Sequence, residues 1–516
     1  MRSLLSATAL TALCLSATPM FADVTPEDVW GAYQEMMAKT GATPSAEVER
    51  DGDTLVVRNM VYDMTMDMGA SSVSSTTTAP EIRFQERAGG TVAMWFPAPL
   101  TSVSVTQVEA ELDDGMDDET IETRSTMRLD GTSVVSGAPD DMLFTFKDST
   151  IEMVNDPVMM DGEMIQPGLS AKVAGISGTY SIDRSGEALT SGIDMTAAVL
   201  SYEFDEMETE EGDLVDMGFT ANGMTVKGQV MLAQGEPDDA MQALVGKSDV
   251  DVNLGFADSS TFVAVTSDEP NSGMDIKATS GQSTLGLTLK GGAIGYDATA
   301  GDVNITVGGP QIPGGQVEVA MKEYSTALLF PLAASDAPQP FEAKIGLEEV
   351  VLPEIAWMIA DPSGQLPHDP ASLRLAFEGT LENGVNLFDA EAIAALEASG
   401  DKMPFTLQTL ELPEIFLSLA GASIAGEGAG KFLDKEPAVA GGMPPFAGNL
   451  SLKLVGVADL IGNLTATGIL PAEQAMSAQM MLGLFARPGD VAGELVSEIE
   501  MTEDGQIIAN GQPLPF

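Results

Sequence analysis

The chain has 516 residues, with 78 Asp and Glu against 23 Lys and Arg, a formal net charge of −55 at pH 7. Such a chain repels nucleic acid and anionic headgroups, while 44% hydrophobic residues exclude a disordered acidic tail. Past the first segment no run of about 18 apolar residues occurs, so no membrane-spanning helix is expected.

Residues 1–22 read as a secretory signal peptide: Arg2 supplies the positive start, Leu4 to Leu15 the short apolar run, and Ala22 the small residue before cleavage. The sole cysteine, Cys14, lies inside it, and Leu13 before it argues against lipidation. The mature chain would carry no disulfide, thiolate nucleophile or zinc–thiolate site.

Thr25-Pro26-Glu27-Asp28 starts a helix over 23–40, with Thr25 as cap and Pro26 at the first helical position. Val29, Trp30, Tyr33, Met36 and Met37 fall on one stripe, so the helix should pack that stripe on the next part of the chain.

That next part, 41–331, reads as antiparallel β. From Thr54 to about Met68 the chain runs extended, and Met60, Met64, Met66 and Met68 share one face while Asp63, Thr65 and Asp67 take the other. These four methionines are the candidate lining of an apolar groove. Further strands are expected at 81–85, 119–129, 132–135, 142–146, 150–154, 171–176, 192–201 and 217–231. Beyond them come 250–256, 261–266, 274–278, 284–290, 303–307 and 316–322. Asp130-Gly131, Asn222-Gly223 and Gly291-Gly292 supply turns. One helix interrupts near Pro237 to Val245. The acidic run Asp113 to Glu119 lacks the spacing of a calcium loop and reads as an acidic loop.

A composition shift at 332–340 opens the second region, 332–516. Strands at 341–345, 372–378, 448–455 and 494–501 alternate with short apolar helices at 353–359, 387–399, 457–461 and 471–485. Leu-Pro pairs recur at 352, 366, 412, 470 and 514, which suggests a degenerate internal duplication. Asp504-Gly505 turns the chain for the closing hairpin.

The blocks Asp361-Pro362-Ser363-Gly364-Gln365-Leu366-Pro367-His368-Asp369-Pro370, Met481 to Gly489 and Asp504 to Pro515 resemble an uncharacterised exported family of alphaproteobacterial envelopes, known as a domain of unknown function. More distantly the chain is similar to AsmA-like envelope proteins. That likeness implies a long β-groove and a role in lipid movement, by fold analogy alone.

Catalytic chemistry is poorly supplied. His368 is the single histidine, and its proline-bracketed position reads as a turn. Trp30 and Trp357 on helices and Trp95 on or beside a strand read as core rather than sugar platforms. The run Gly421 to Gly430 reads as a glycine-lightened strand or hairpin, not a phosphate loop, because it carries Glu427 and follows an apolar strand-like run. Carboxylate pairs for a hydrolase exist by number alone.

The expected fold is mainly β: an elongated antiparallel curved sheet, groove or sandwich with a few short helices. The expected role is non-enzymatic, in the periplasm or cell envelope, binding lipid or another amphipathic component along a β-groove, or an envelope protein. The alternative is a secreted structural or adhesive acidic β protein, stabilised by calcium. No cofactor and no catalytic or metal-binding residue is assigned.

Overall fold

The computed structural model describes residues 23–39, 44–67, 71–108, 119–160, 163–186, 188–209, 212–233, 248–267, 269, 272–387, 404–434 and 445–514. The expected signal peptide, the acidic run at 113–118, the helix near 237–245, nearly all of that at 387–399 and Met68 lie outside them. The fold is mainly β, and one antiparallel sheet of 27 strands runs through the chain.

Helix α1 (Pro26–Lys39) begins with the reciprocal cap that its sequence predicts. Asp28 N–H donates to Thr25 Oγ1 at 3.2 Å, and Thr25 N–H donates to Asp28 Oδ2 at 3.0 Å. Then β1 (Ser45–Asp51), β2 (Thr54–Asp67) and β3 (Ser71–Arg87) form a meander. Next, β4 (Thr91–Trp95) pairs with the second half of β3 and β5 (Leu100–Val108) with the first half. The split continues in β6 (Glu119–Asp130) and β7 (Ser133–Ala138), and both pair with β8 (Asp141–Asn155). A separate ribbon comes after them, β9 (Val158–Met160) with β10 (Glu163–Gln166).

β11 (Leu169–Asp183), β12 (Ala188–Phe204), the short β13 (Met207–Glu208) and the 20-residue β14 (Leu214–Ala233) come next. Two more split lanes succeed them: β15 (Asp249–Phe256) with β16 (Asp258–Thr266), then β17 (Met274–Ser280) with β18 (Ser283–Lys290). They rejoin at β19 (Ala293–Gly308), which pairs with β20 (Gln316–Pro331) and so leads to β21 (Ser335–Val350). After α2 (Glu354–Ala360) the sheet continues as β22 (Ala371–Asn383), β23 (Phe405–Leu419), β24 (Ala422–Phe432) and β25 (Phe446–Val455). Helices α3 (Val457–Ala466) and α4 (Ala472–Phe485) precede β26 (Arg487–Pro488), β27 (Glu494–Met501), β28 (Ile507–Ala509) and β29 (Gln512–Pro513).

A crease crosses the sheet. Asn59, Asp148, Asp302 and Glu349 have φ of 52°, 48°, 48° and 49° in the middle or near the end of β2, β8, β19 and β21. Gly175 and Gly223 have φ of 70° and 60° in β11 and β14. A Cβ on Gly175 would stand 2.9 Å from Ala198 Cβ, and one on Gly223 at 2.9 Å from Ala257 Cβ, so these positions need glycine on two counts. The breaks between β4 and β5, β6 and β7, β15 and β16, and β17 and β18 fall on the same line. Freed backbone groups find partners there: Asp148 N–H donates to Ser177 Oγ and Glu349 N–H to Ser372 Oγ, both at 3.0 Å. The crease divides the sheet into two walls. Wall A holds β5, β6, β16 and β17, and wall B holds β4, β7, β15 and β18; the long strands cross from one to the other.

Wall A ends at β20, where Val351 bridges to Ala320. From there α2, α3 and α4 connect strands of wall B at their crease ends. Trp357 of α2 packs with Leu366 and Ala420, against Leu460 and Leu464 of α3.

Helix α1 lies on the inner face of the crease at its N-terminal end. Val29, Trp30 and Ala32 pack on Val57, Met60, Ile82 and Phe84, on Val92, Val135 and Met142 of wall B, and on Leu100 of wall A. Two ion pairs hold it: Arg50 Nη1 lies 2.7 Å from Glu27, and Arg184 pairs with Glu35. The first sheet edge, β1, carries Glu47, Glu49, Arg50 and Asp51, charges that oppose pairing with another chain.

This core sets two expected outcomes. Trp30→Ala should cost about 3–5 kcal/mol in denaturant unfolding, because the indole fills the space between both walls. Burial, then the neighbouring Tyr62, pushes the Tyr33 phenol up to about 12. The protein should therefore hold its stability up to the ordinary tyrosine value of 10.0 and lose this contribution as pH rises from there towards about 12, readable by phenolate absorbance alongside circular dichroism.

Candidate functional site

Directly paired residues of an antiparallel sheet share a face, so the register fixes which side chains line the crease. In wall B one inner row runs Phe146, Gly178, Met195, Val226, Leu254, Leu285. It continues through Ala298, Thr326, Ile345 and Leu375. The next row runs Phe144, Tyr180, Ile193, Gly228, Val252, Leu287 and on to Tyr296 and Leu328. In wall A the row nearest the crease is Leu129, Ile151, Val173, Leu200, and the next is Leu100, Met127, Met153, Ala171, Tyr202, Phe219. None of these rows contains Asp, Glu, Lys or Arg.

The outer face takes the alternate positions and carries the charge. Lys172 Nζ lies 2.8 Å from Glu152, and Lys344 stands 2.9 and 3.0 Å from Glu342 and Glu378. Arg374 lies 2.6 Å from both Glu348 and Glu414 and 4.0 Å over the Phe416 ring. Glu414 first, with Glu348, holds Arg374 further into its protonated range, and Glu342 and Glu378 do the same for Lys344.

The inner rows meet in a cavity of about 430 Å³ in the crease. Phe96, Ile151, Val173, Met195, Met224 and Val226 line it, from both walls. Helix α1 closes the trough on the β2 side. On the other side nothing among the described residues covers the rows: Leu287, Ile294, Tyr296 and Leu328 keep 42%, 44%, 38% and 37% of their surface exposed. Large apolar side chains exposed along one continuous face mark a binding surface.

The four methionines singled out in the sequence divide. Met60 is fully buried beneath α1, so it lines no open groove. Met64 is half-buried on the inner face of wall A, opposite Ser75. Met66 lies in β2 opposite Val73, and Met68 is outside the described residues. Reasoning from one strand missed the lining of the crease, and Trp95, read as core, is half-buried beside it. The signal was present in the parity of Ile193 and Met195 with Met224 and Val226, but register was needed to join them.

His368 stacks on Trp357, centroids 4.2 Å apart and planes at 11°. The enclosed Asp361 carboxylate accepts Leu366 N–H at 2.6 Å, which holds its pKa below the usual range, with His368 Nε2 3.8 Å away. This group pins the loop after α2. Among the described residues no three His, Cys, Asp or Glu gather to hold a metal ion, and no helix is long and apolar enough to cross a membrane.

Comparison with known protein families, characterised proteins and solved structures gives no match in any of them.

Met195→Asp puts a carboxylate in the middle of the crease. Binding of the neutral dye N-phenyl-naphthylamine, followed by fluorescence, should weaken about tenfold or more, with the far-ultraviolet spectrum unchanged.

Proposed function

We propose that this protein is a non-enzymatic component of the cell envelope, exported to the periplasm, that binds lipid or another amphipathic envelope component in the creased β-trough. One observation carries the reading: an inner face that is apolar and free of charge over more than ten strands stays open beyond α1. An apolar face of this length would cost roughly 25 cal/mol for each Å² left in water. A hydrocarbon chain laid along the crease removes that cost, and a water-soluble metabolite does not. The outward ion pairs keep the loaded protein soluble and distant from anionic surfaces.

The test uses the full chain expressed in an exporting host and purified without detergent. Extraction into organic solvent and mass spectrometry, against a mock purification, should find lipid in stoichiometric amount. Protein that is folded, lipid-free and unable to take up lipid would reject the reading.

A further inference from the structure

We infer that the trough selects an uncharged, hydroxyl-bearing amphiphile of the acylglycerol kind over an anionic lipid. The inference rests on the groove reading above and adds the chemistry of the head.

The first ground is that no Lys or Arg stands in the inner rows named above. Arg128, Lys172, Lys227, Lys344, Arg374 and Lys453 all take outer positions, and each has a carboxylate partner. At the closed end of the trough Arg50 shares the inner parity of Leu55, and it is held by Glu27 and Glu86. Arg184, beyond the end of β11, is held by Glu35. A phosphate or carboxylate lowered between the walls would lose water and meet no counter-charge. The field of a chain with net charge −55 acts in the same direction.

The second ground is a gradient of polarity up wall A. Ile151, Met153 and Asn155 are successive inner residues of β8, so the floor of the crease and Asn155 are about 13 Å apart. At the Asn155 level the inner row is no longer apolar: Tyr62, Thr77, Ser102, Ser125 and Asn155 stand side by side. Thr77 Oγ1 donates to Ser102 Oγ at 3.0 Å, and Ser75 and Ser102 hydroxyls are 3.1 Å apart. The next row repeats the chemistry with Ser75, Ser104 and Thr123. A shelf of neutral donors and acceptors beside an apolar floor suits glycerol-type hydroxyls: they exchange hydrogen bonds with Ser102 and Ser125 while the chain lies in the crease.

The experiment compares two ligands with one hydrocarbon chain. Full-length protein, stripped of lipid, is loaded with N-phenyl-naphthylamine, and the dye is displaced by monooleoylglycerol or by oleate at a pH where oleate is ionised. The glycerol ester should displace the dye at about tenfold lower concentration. Equal potency, or an advantage for oleate, overturns the inference while leaving the groove in place. Failure of either lipid to displace the dye, with none co-purifying, overturns the groove reading and this inference with it. Two variants locate the head, each checked for an unchanged melting temperature. Ser125→Lys should bring oleate level with the ester. Ser125→Ala should weaken the ester about fivefold and leave oleate as it was. Ratios unmoved in both variants would overturn the placement on the shelf.

Discussion

A long β-strand cannot turn a corner without surrendering ladder hydrogen bonds or adopting a backbone that side chains resist. The sheet meets that constraint at one line. Asn59, Asp148, Asp302 and Glu349 accept the left-handed conformation, glycine supplies it in β11 and β14, four lanes break there, and β3, β12 and β20 cross with a gap in the ladder. Hydroxyls of Ser177 and Ser372 reach across to receive the N–H groups that the bend exposes. Because these corners align strand after strand, the whole sheet folds along one axis. The cavity, the two walls and the inner and outer faces all result from that alignment.

Charge is placed with the same economy. Beyond the end plugged by α1, period-two alternation sends Asp, Glu, Lys and Arg of the long strands to the outer face, where carboxylates would face one another across the ladder. Glu342 and Glu378 are direct partners, an arrangement that repels, and Lys344 between them relieves it. Arg374 does the same for Glu348 and Glu414. With cations so few, Lys172, Lys344, Arg374 and Lys453 serve as bridges between strands more than as binding groups. An exposed pair adds little stability alone, and its value here is to hold an acidic surface together.

Much of this is legible in the sequence where alternation is strong. The strand from Thr54 and the one ending at Ala233 are predicted nearly to their ends, as are α1, α2 and α4, although Asn222-Gly223, read as a turn, lies inside the second of those strands. Two segments, 142–146 and 150–154, read as separate strands because Asp148 breaks the parity; they are one strand bent at the crease. The stretch Ser74 to Thr78 of β3 escapes a sequence reading because its inner positions are Ser75 and Thr77, so no apolar rhythm exists to find. The candidate site is less legible for a related reason. Alternation assigns Met60 to a face, but only the packing of Val29 and Trp30 over it decides whether that face is open.

The connectivity has a kinetic side. Almost every strand pairs with the one just before or after it, or with a neighbour two or three places away. Closing such contacts costs little chain entropy, and each lane can add to the one already laid. During synthesis, with its first residues leading, the chain can complete α1 and the lanes through β8 before the rest has emerged. The plugged end then forms a nucleus, and the uncovered lanes lengthen from it. In reverse, the lanes around β27 and β28 have the fewest neighbours, and fraying should begin there and travel inward. Amide protection graded along the chain, and not one sharp cooperative loss, is the behaviour this wiring dictates.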